Sequence, residues 1–357
     1  MAAIDTSHPQ RSWYKRNEIS ITPWLFLLPG MLFFAVYVVI PIFQSFWISF
    51  HEWDGLGEAR WVGTDNYERL LGIDGTRWVE GEPVVDGIDP DTGKERMVIP
   101  MVLETAINEE TGAEEVVIVE RNMDRKFEVS FWNNVKWLVL YLLAIPAGLF
   151  IALFLNQTVT GIRLYKSLFF FPFVLSQVVV GLVFSWFYLP NDGLFDTIMA
   201  VFGIDISGGV LGNPNTATYG IIAAGLWPQT AYCMILYLTG LNAVDPEQVE
   251  AARLDGAKGG RMLWYVILPQ LRPATFIAFV VTIIGALRSF DFIAVMTNGG
   301  PFGSTRVLSF YMFEESLSEF GFRMGYGAAI AVILFFIMLF FIAYFLYSMW
   351  RDERGAR

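Results

Sequence analysis

Two ionisable side chains stand three residues apart inside an otherwise apolar stretch: Arg288 and Asp291, within GALRSFDFIAVMTNGGP from Gly285 to Pro301. On a helix that spacing puts both on one face, where they can pair. Charge inside a membrane-length apolar segment is expensive. It marks either a functional group, such as a proton or ion site, or an ion pair facing a neighbouring helix. The spacing leaves both open. Elsewhere the chemical inventory is thin. His8 and His51 lie far apart in the sequence, so no histidine-based metal or catalytic cluster is visible. Cys233 is the single cysteine, which excludes an intrachain disulfide. Its apolar surroundings suit a small buried hydrophobe. No GxxxxGK followed by Ser or Thr occurs, so no phosphate-cradling P-loop is expected. No nucleophile–histidine–acid set can be assembled, and nothing basic and aromatic suggests nucleic acid. The expectation is a chain with no catalytic residue, no metal and no enzymatic activity of its own.

The elements that would carry such residues are membrane helices. At 357 residues, 55% hydrophobic and mean hydropathy +0.48, the chain is too apolar for an ordinary soluble domain. Its 16% aromatics, including 12 Trp, fit the anchoring belts of a membrane protein. Six apolar runs are each long enough to cross a hydrocarbon core, which takes about 20 residues. They read as 24–50, 132–155, 168–189, 219–242, 274–297 and 326–350. The resulting division is a tail (1–20), a first span (21–50), an acidic insert (51–130), a helical core (131–350) and a second tail (351–357). No small-residue cleavage site follows a short apolar core near the start, so no removable signal is read.

Charge orients the spans. Lys and Arg number three in the first tail, two in 156–167, four in 243–273 and three in the last tail. The opposite connections carry none in 190–218 and two in 298–325. Positive charge collects on the cytoplasmic side, which predicts both termini and the 243–273 loop inside. The net charge of −11 belongs to one segment, since 51–130 holds 20 acidic and 8 basic residues. Within it, DPDTGKERMVI from Asp89 and NEETGAEEVVI from Asn108 form a weak repeat pairing a Thr-Gly turn with a Val/Ile run. Hairpins in a small β-rich insert are the expectation.

Between the fourth and fifth runs lies DPEQVEAARLDGAKGGRMLWYVILP, from Asp245 to Pro269. Asp245 suits an N-cap, Pro246 the first helical position, and Gln248 the place of a capping-box partner. Gly256 can take positive φ and end that helix. The run from Met262 to Leu268 is then expected to stop at Pro269. Glu250-Ala251-Ala252, three residues, Gly256, nine residues and Val266-Ile267-Leu268-Pro269 together resemble the EAA loop of ABC-importer permeases. Phe290-Asp291, Thr297, Gly299-Gly300-Pro301 and Thr305 resemble the signature of the carbohydrate branch, specifically its first, maltose-type permease subunit.

That resemblance implies an all-α fold of six spans in a bacterial inner membrane, with a cytoplasmic coupling loop and a small β-rich periplasmic insert. The loop, through Glu250, Ala251, Ala252, Gly256, Leu268 and Pro269, would dock into a partner ATPase. Implied partners are a second homologous permease, two ATPase subunits that bind the ATP and Mg, and a periplasmic sugar-binding protein. This chain would bind no cofactor itself. Sugar-lining positions by the same resemblance are Gly225, Pro228, Gln229 and Tyr232 on one span, with Thr282, Gly285, Ala286 and Ser289 on the next. Ala286 and Ser289 stand where the relative has amides, so the sugar is open, with an α-glucoside or other di- or oligosaccharide expected. Rival readings are a gradient-driven transporter using Asp291, a membrane enzyme using Arg288 and Asp291, and a scaffold for an extracellular β-domain. Neither motif is explained by any of the three.

Overall fold

The structure, a computed structural model, describes residues 13–73, 84–88, 95–98, 103–107, 114–118, 124–157, 160–190, 193–203, 209–318 and 322–355. Side chains are described within 24–73 and 124–351. The first span combines α1 (Trp13–Phe34), a π-helical turn (Ala35–Val39) and α2 (Ile40–Ser49). Pro41 is the cause of the turn. Proline donates no amide hydrogen, and its ring crowds the carbonyl four residues back. Widening the turn so that the Ile40 N–H reaches Ala35 O relieves that crowding.

Short strands β1 (His51–Glu52) and β2 (Arg60–Trp61) pair antiparallel, and α3 (Asp65–Leu71) follows. In the insert, β3 (Val84–Ile88) pairs with β4 (Glu95–Val98), and β5 (Leu103–Ile107) with β6 (Glu114–Ile118). The Thr-Gly turns fall between paired strands and lie outside the described residues. Helices α4 (Arg125–Tyr141) and α5 (Ala144–Leu155) then make one span of 31 residues. Next, α6 (Ile162–Val174) and α7 (Gln177–Phe187) meet at a 98° bend. Leu175 and Ser176 are extended there, and Ser176 caps α7 by accepting from the Val179 N–H at 3.3 Å.

After α8 (Leu194–Val201) comes α9 (Ala217–Asn242), the centre of the bundle, packed against α4, α5, α6, α7 and the later α13. Close approach is bought with small residues. A Cβ on Gly148 of α5 would lie 2.6 Å from Cys233 Cβ. Beyond α9 come α10 (Pro246–Leu254), α11 (Gly260–Met262), a second π turn (Leu263–Ile267), α12 (Leu268–Gln270) and α13 (Arg272–Leu287). The remainder is α14 (Phe290–Met296), α15 (Leu308–Leu317) and α16 (Met324–Gly355). Among the described residues four helices are long and apolar enough to cross a membrane, or up to six if each of two bent pairs is one span.

Two expectations about these elements need correction. Pro269 does not stop its helix: it sits near the start of α12, preceded by the same π-turn device, and the 71° bend falls after Gln270. The expected span at 274–297 is not one helix either, because α13 ends at Leu287 and α14 restarts at Phe290.

The start of α16 gathers both flanks of the insert. The Gly325 N–H donates to Trp53 O at 3.4 Å, while Asn66 holds Ser49 O and His51 O at 2.9 and 3.1 Å. One residue on, Tyr326 Oη donates to Asp124 Oδ2 at 2.6 Å, and Tyr311 Oη donates to the same oxygen.

Candidate functional site

The loop between α9 and α13 is built by its caps. Asp245 Oδ1 accepts the Glu247 N–H at 2.9 Å, with Pro246 at the first helical position. The returning bond that the spacing assigned to Gln248 is made by Gln270 instead. The Asp245 N–H donates to Gln270 Oε1 at 2.9 Å, and Gln270 Nε2 donates to Val266 O at 3.1 Å. At the other end Gly256 has φ +84°. Its N–H reaches Arg253 O at 3.1 Å, and the Ala257 N–H reaches Ala252 O at 2.9 Å, a Schellman stop. Glu250 and Ala251 are exposed, Ala252 and Leu268 half-buried, and Pro269 exposed. Leu254, Trp264 and Tyr265 are 89%, 69% and 79% exposed, so the loop offers apolar side chains that none of the described residues covers.

Deep in the bundle a polar cluster joins three helices. Gln229 Nε2 of α9 donates to the buried Thr282 Oγ1 of α13 at 2.9 Å, with Cys233 Sγ 3.6 Å from that hydroxyl. From α4, Tyr141 Oη donates to Gly225 O at 2.9 Å. Gly285 faces both groups: a Cβ there would lie 3.5 Å from the Tyr141 ring and 3.6 Å from Gln229 Oε1. Ala286 is buried in the same core, and Pro228 is half-buried in α9. Ser289 turns back on its own helix, its Oγ donating to Ala286 O at 3.0 Å. Tyr232 lies apart from the cluster, stacked on Phe173 of α6 with ring centroids 5.1 Å apart. Thus Gly225, Gln229, Thr282 and Gly285 converge, while Tyr232 and Ser289 have other partners.

The possible Arg288–Asp291 pair is not formed among the described residues. The helix breaks at Arg288 and Ser289, so the one-face argument loses its basis, and Arg288 is exposed. The signature that follows is a fastened turn. Thr305 Oγ1 donates to Gly300 O at 2.7 Å and lies 2.8 Å from Thr297 Oγ1. Asn133 Nδ2 of α4 donates to Ser304 O and Arg306 O at 2.6 and 2.8 Å, and Asn134 Oδ1 accepts the Leu308 N–H at 2.8 Å. Burial would lower the Arg306 pKa, but the hydrogen-bonded Glu314 carboxylate, at 2.7 and 2.8 Å, holds it above its ordinary value.

Sequence reasoning passed over Trp137, Tyr141, Gln270 and Lys136. For Lys136 the signal was present, a lone cation within an apolar run. For the other three it was not, because an aromatic in a span and a glutamine in a loop are ordinary.

The architecture is a helical bundle with four to six candidate membrane spans among the described residues, in which a capped loop joins two helices of a shared polar cluster. Residues 144–350 match the family described as binding-protein-dependent transport system inner membrane component, and the chain belongs to that family. It is 30% identical over 335 residues to a probable ABC transporter permease protein of Pyrococcus horikoshii, covering 92% of this chain and 96% of that one. It is 26% identical over 326 residues to the trehalose/maltose transport system permease protein MalF of Thermococcus litoralis, covering 90% and 92%. The fold is also that of a bacterial alginate ABC transporter solved in complex with an alginate pentasaccharide-bound periplasmic protein. There the TM-score is 0.70 at 17% identity, covering 95% of this chain and 98% of that one. The family leaves a gradient-driven carrier built on Asp291 without support.

Proposed function

We propose that this chain is the first permease subunit of an ATP-driven importer for a sugar, an α-glucoside or another di- or oligosaccharide. The observation that carries the reading is a connection. Gln229 and Thr282, bonded across α9 and α13, sit on the two helices that the capped loop joins. Movement of the loop would therefore act on both sides of the polar cluster.

In this reading a periplasmic binding protein delivers sugar on the insert side. Two ATPase subunits, which carry the ATP and Mg, receive α10 on Glu250, Ala251, Ala252 and Leu254 in the cytoplasm, where both termini also lie. A second homologous permease completes the pathway. Gly225, Gln229, Thr282 and Gly285 line the sugar site, with Pro228, Ala286, Ser289 and Tyr232 around them. The exposed Leu254, Trp264 and Tyr265 support docking, because apolar side chains left bare on a loop mark an interface. The relatives' names, trehalose/maltose and multiple-sugar transport among them, support a saccharide as cargo.

The test is to copurify the chain with its co-expressed neighbours and assay ATPase activity with binding proteins loaded from a disaccharide panel. Stimulation by one sugar is expected and names the substrate. Absence of any ATPase in the complex, with gradient-driven uptake by the chain alone, overturns the proposal.

A further inference from the structure

On the side of the membrane that carries the insert, a cavity of about 500 Å³ opens between α4, the turn before α9 and the signature loop. Basic residues Arg125, Lys126, Lys136 and Arg306 line it against one acid, Glu128, beside Trp132 and Ser304. Three of these cations already have partners, Arg125 among them. Arg306 is clasped by Glu314, and Lys126 lies 3.8 Å from Glu315. Lys136 differs. Three turns deeper along α4, its ammonium meets only neutral groups among the described residues: Asn133 Oδ1 at 3.1 Å and the Tyr219 ring at 5.9 Å from the centroid.

A half-buried ammonium with no acidic group beside it is costly unless an anion compensates it. On the opposite wall the Ser304 carbonyl is fixed by Asn133 and by Thr218 Oγ1 at 3.2 Å, so the signature loop that borders the cavity is held in place. Trp132, 56% exposed, borders the opening.

We propose that this cavity binds an oxyanion, carboxylate or phosphate, with the Lys136 ammonium as counter-ion. Two sources share that chemistry: an acidic saccharide entering from the insert side, and the headgroup of an anionic membrane lipid. The saccharide source rests on the transport reading above; the lipid source does not.

The experiment uses the chain with its copurified partners in nanodiscs, reading the thermal unfolding midpoint without ATP. Binding can thus fail or succeed independently of coupled transport. Glucuronate against neutral glucose, in phosphatidylcholine discs, tests the saccharide. Discs of rising phosphatidylglycerol content, without sugar, test the lipid. Either anion is expected to raise the midpoint of the native protein. Lys136→Met should push half-saturation up by roughly tenfold or more, the worth of one charge-assisted hydrogen bond, and Lys136→Arg should restore most of it. A native protein that responds to neither anion overturns the proposal, as does a Lys136→Met variant that responds like the native one. Should Lys136→Met not fold, Lys136→Gln decides: a weakened response supports the site, and an unchanged one overturns it.

Discussion

The backbone N–H of Asp245 donates to the side-chain oxygen of Gln270 at 2.9 Å, closing the loop between α9 and α13 across 25 residues. The same glutamine donates to Val266 O, so one side chain fixes the start of α10 to the π turn before α12. α10 is thereby held to the run that feeds directly into α13.

Replacing Gln270 by Ala should therefore loosen α10 at its first turn, at a cost of about 1 kcal/mol. Amide exchange across 246–254 is expected to quicken, and sugar-stimulated ATPase to fall more than membrane insertion. Gln270→Glu keeps the acceptor and should leave the Asp245 amide protected. Equal protection in Gln270→Ala and native protein contradicts this role.

Gly256 separates two kinds of cost. A Cβ there meets nothing within 4 Å, yet φ is +84°, so a substitution is penalised by backbone conformation alone. Gly256→Ala should cost about 1 kcal/mol, and Gly256→Asn less. Gly256→Asp adds a charge to the docking surface and is expected to abolish ATPase coupling while the chain still inserts. Normal uptake by that variant would remove the loop from the coupling path.

Gly225 and Gly285 flank one tyrosine but should behave differently. A Cβ on Gly225 would come within 3.1 Å of Tyr141 Oη and 3.2 Å of the Trp137 ring, whereas one on Gly285 meets its neighbours at 3.5 and 3.6 Å. Gly225→Ala is expected to lower thermal stability, by about 1–3 kcal/mol, as overpacking does. Gly285→Ala should fold normally and alter uptake only. Matching unfolding midpoints for the two would refute this packing.

Thr282→Val preserves shape and removes the hydroxyl that holds Gln229. The amide left buried should cost about 1–3 kcal/mol, and the affinity for transported sugar is expected to change with it. Tyr232→Ala, which leaves the cluster intact and uncovers Phe173, should weaken uptake without releasing the ATPase. Transport kinetics unchanged in both variants would place the sugar elsewhere.

Much of this was legible in the sequence. Asp245 as cap and Gly256 as stop follow from local backbone chemistry, and the structure uses both as such. Thr282 and Gln229, named through a resemblance, meet across two helices. What could not be read depends on contacts between residues distant in the chain. Gln270 takes a role that local spacing gave to Gln248, because the fold brings it nearer the Asp245 amide. Whether Arg288 and Asp291 share a face could not be read because periodicity presumes an unbroken helix, and this one stops at Leu287 and restarts at Phe290. Lys136 was legible as the one cation of the run 132–155, but no neighbouring charge or motif marks it.

The anchoring of the acidic segment to Gly325 and Tyr326 carries an evolutionary consequence. Its flanks reach the bundle at neighbouring residues, through Trp53 O on one side and Asp124 on the other. Whatever chain is spliced between them leaves and returns at nearly the same spot. Lengthening such a loop costs only with the logarithm of its length, so the membrane core is insulated from its size. Lineages sharing this core are free to exchange the cassette at 74–123 for longer, shorter or differently charged ones, and a chimaera made at those boundaries should keep its bundle.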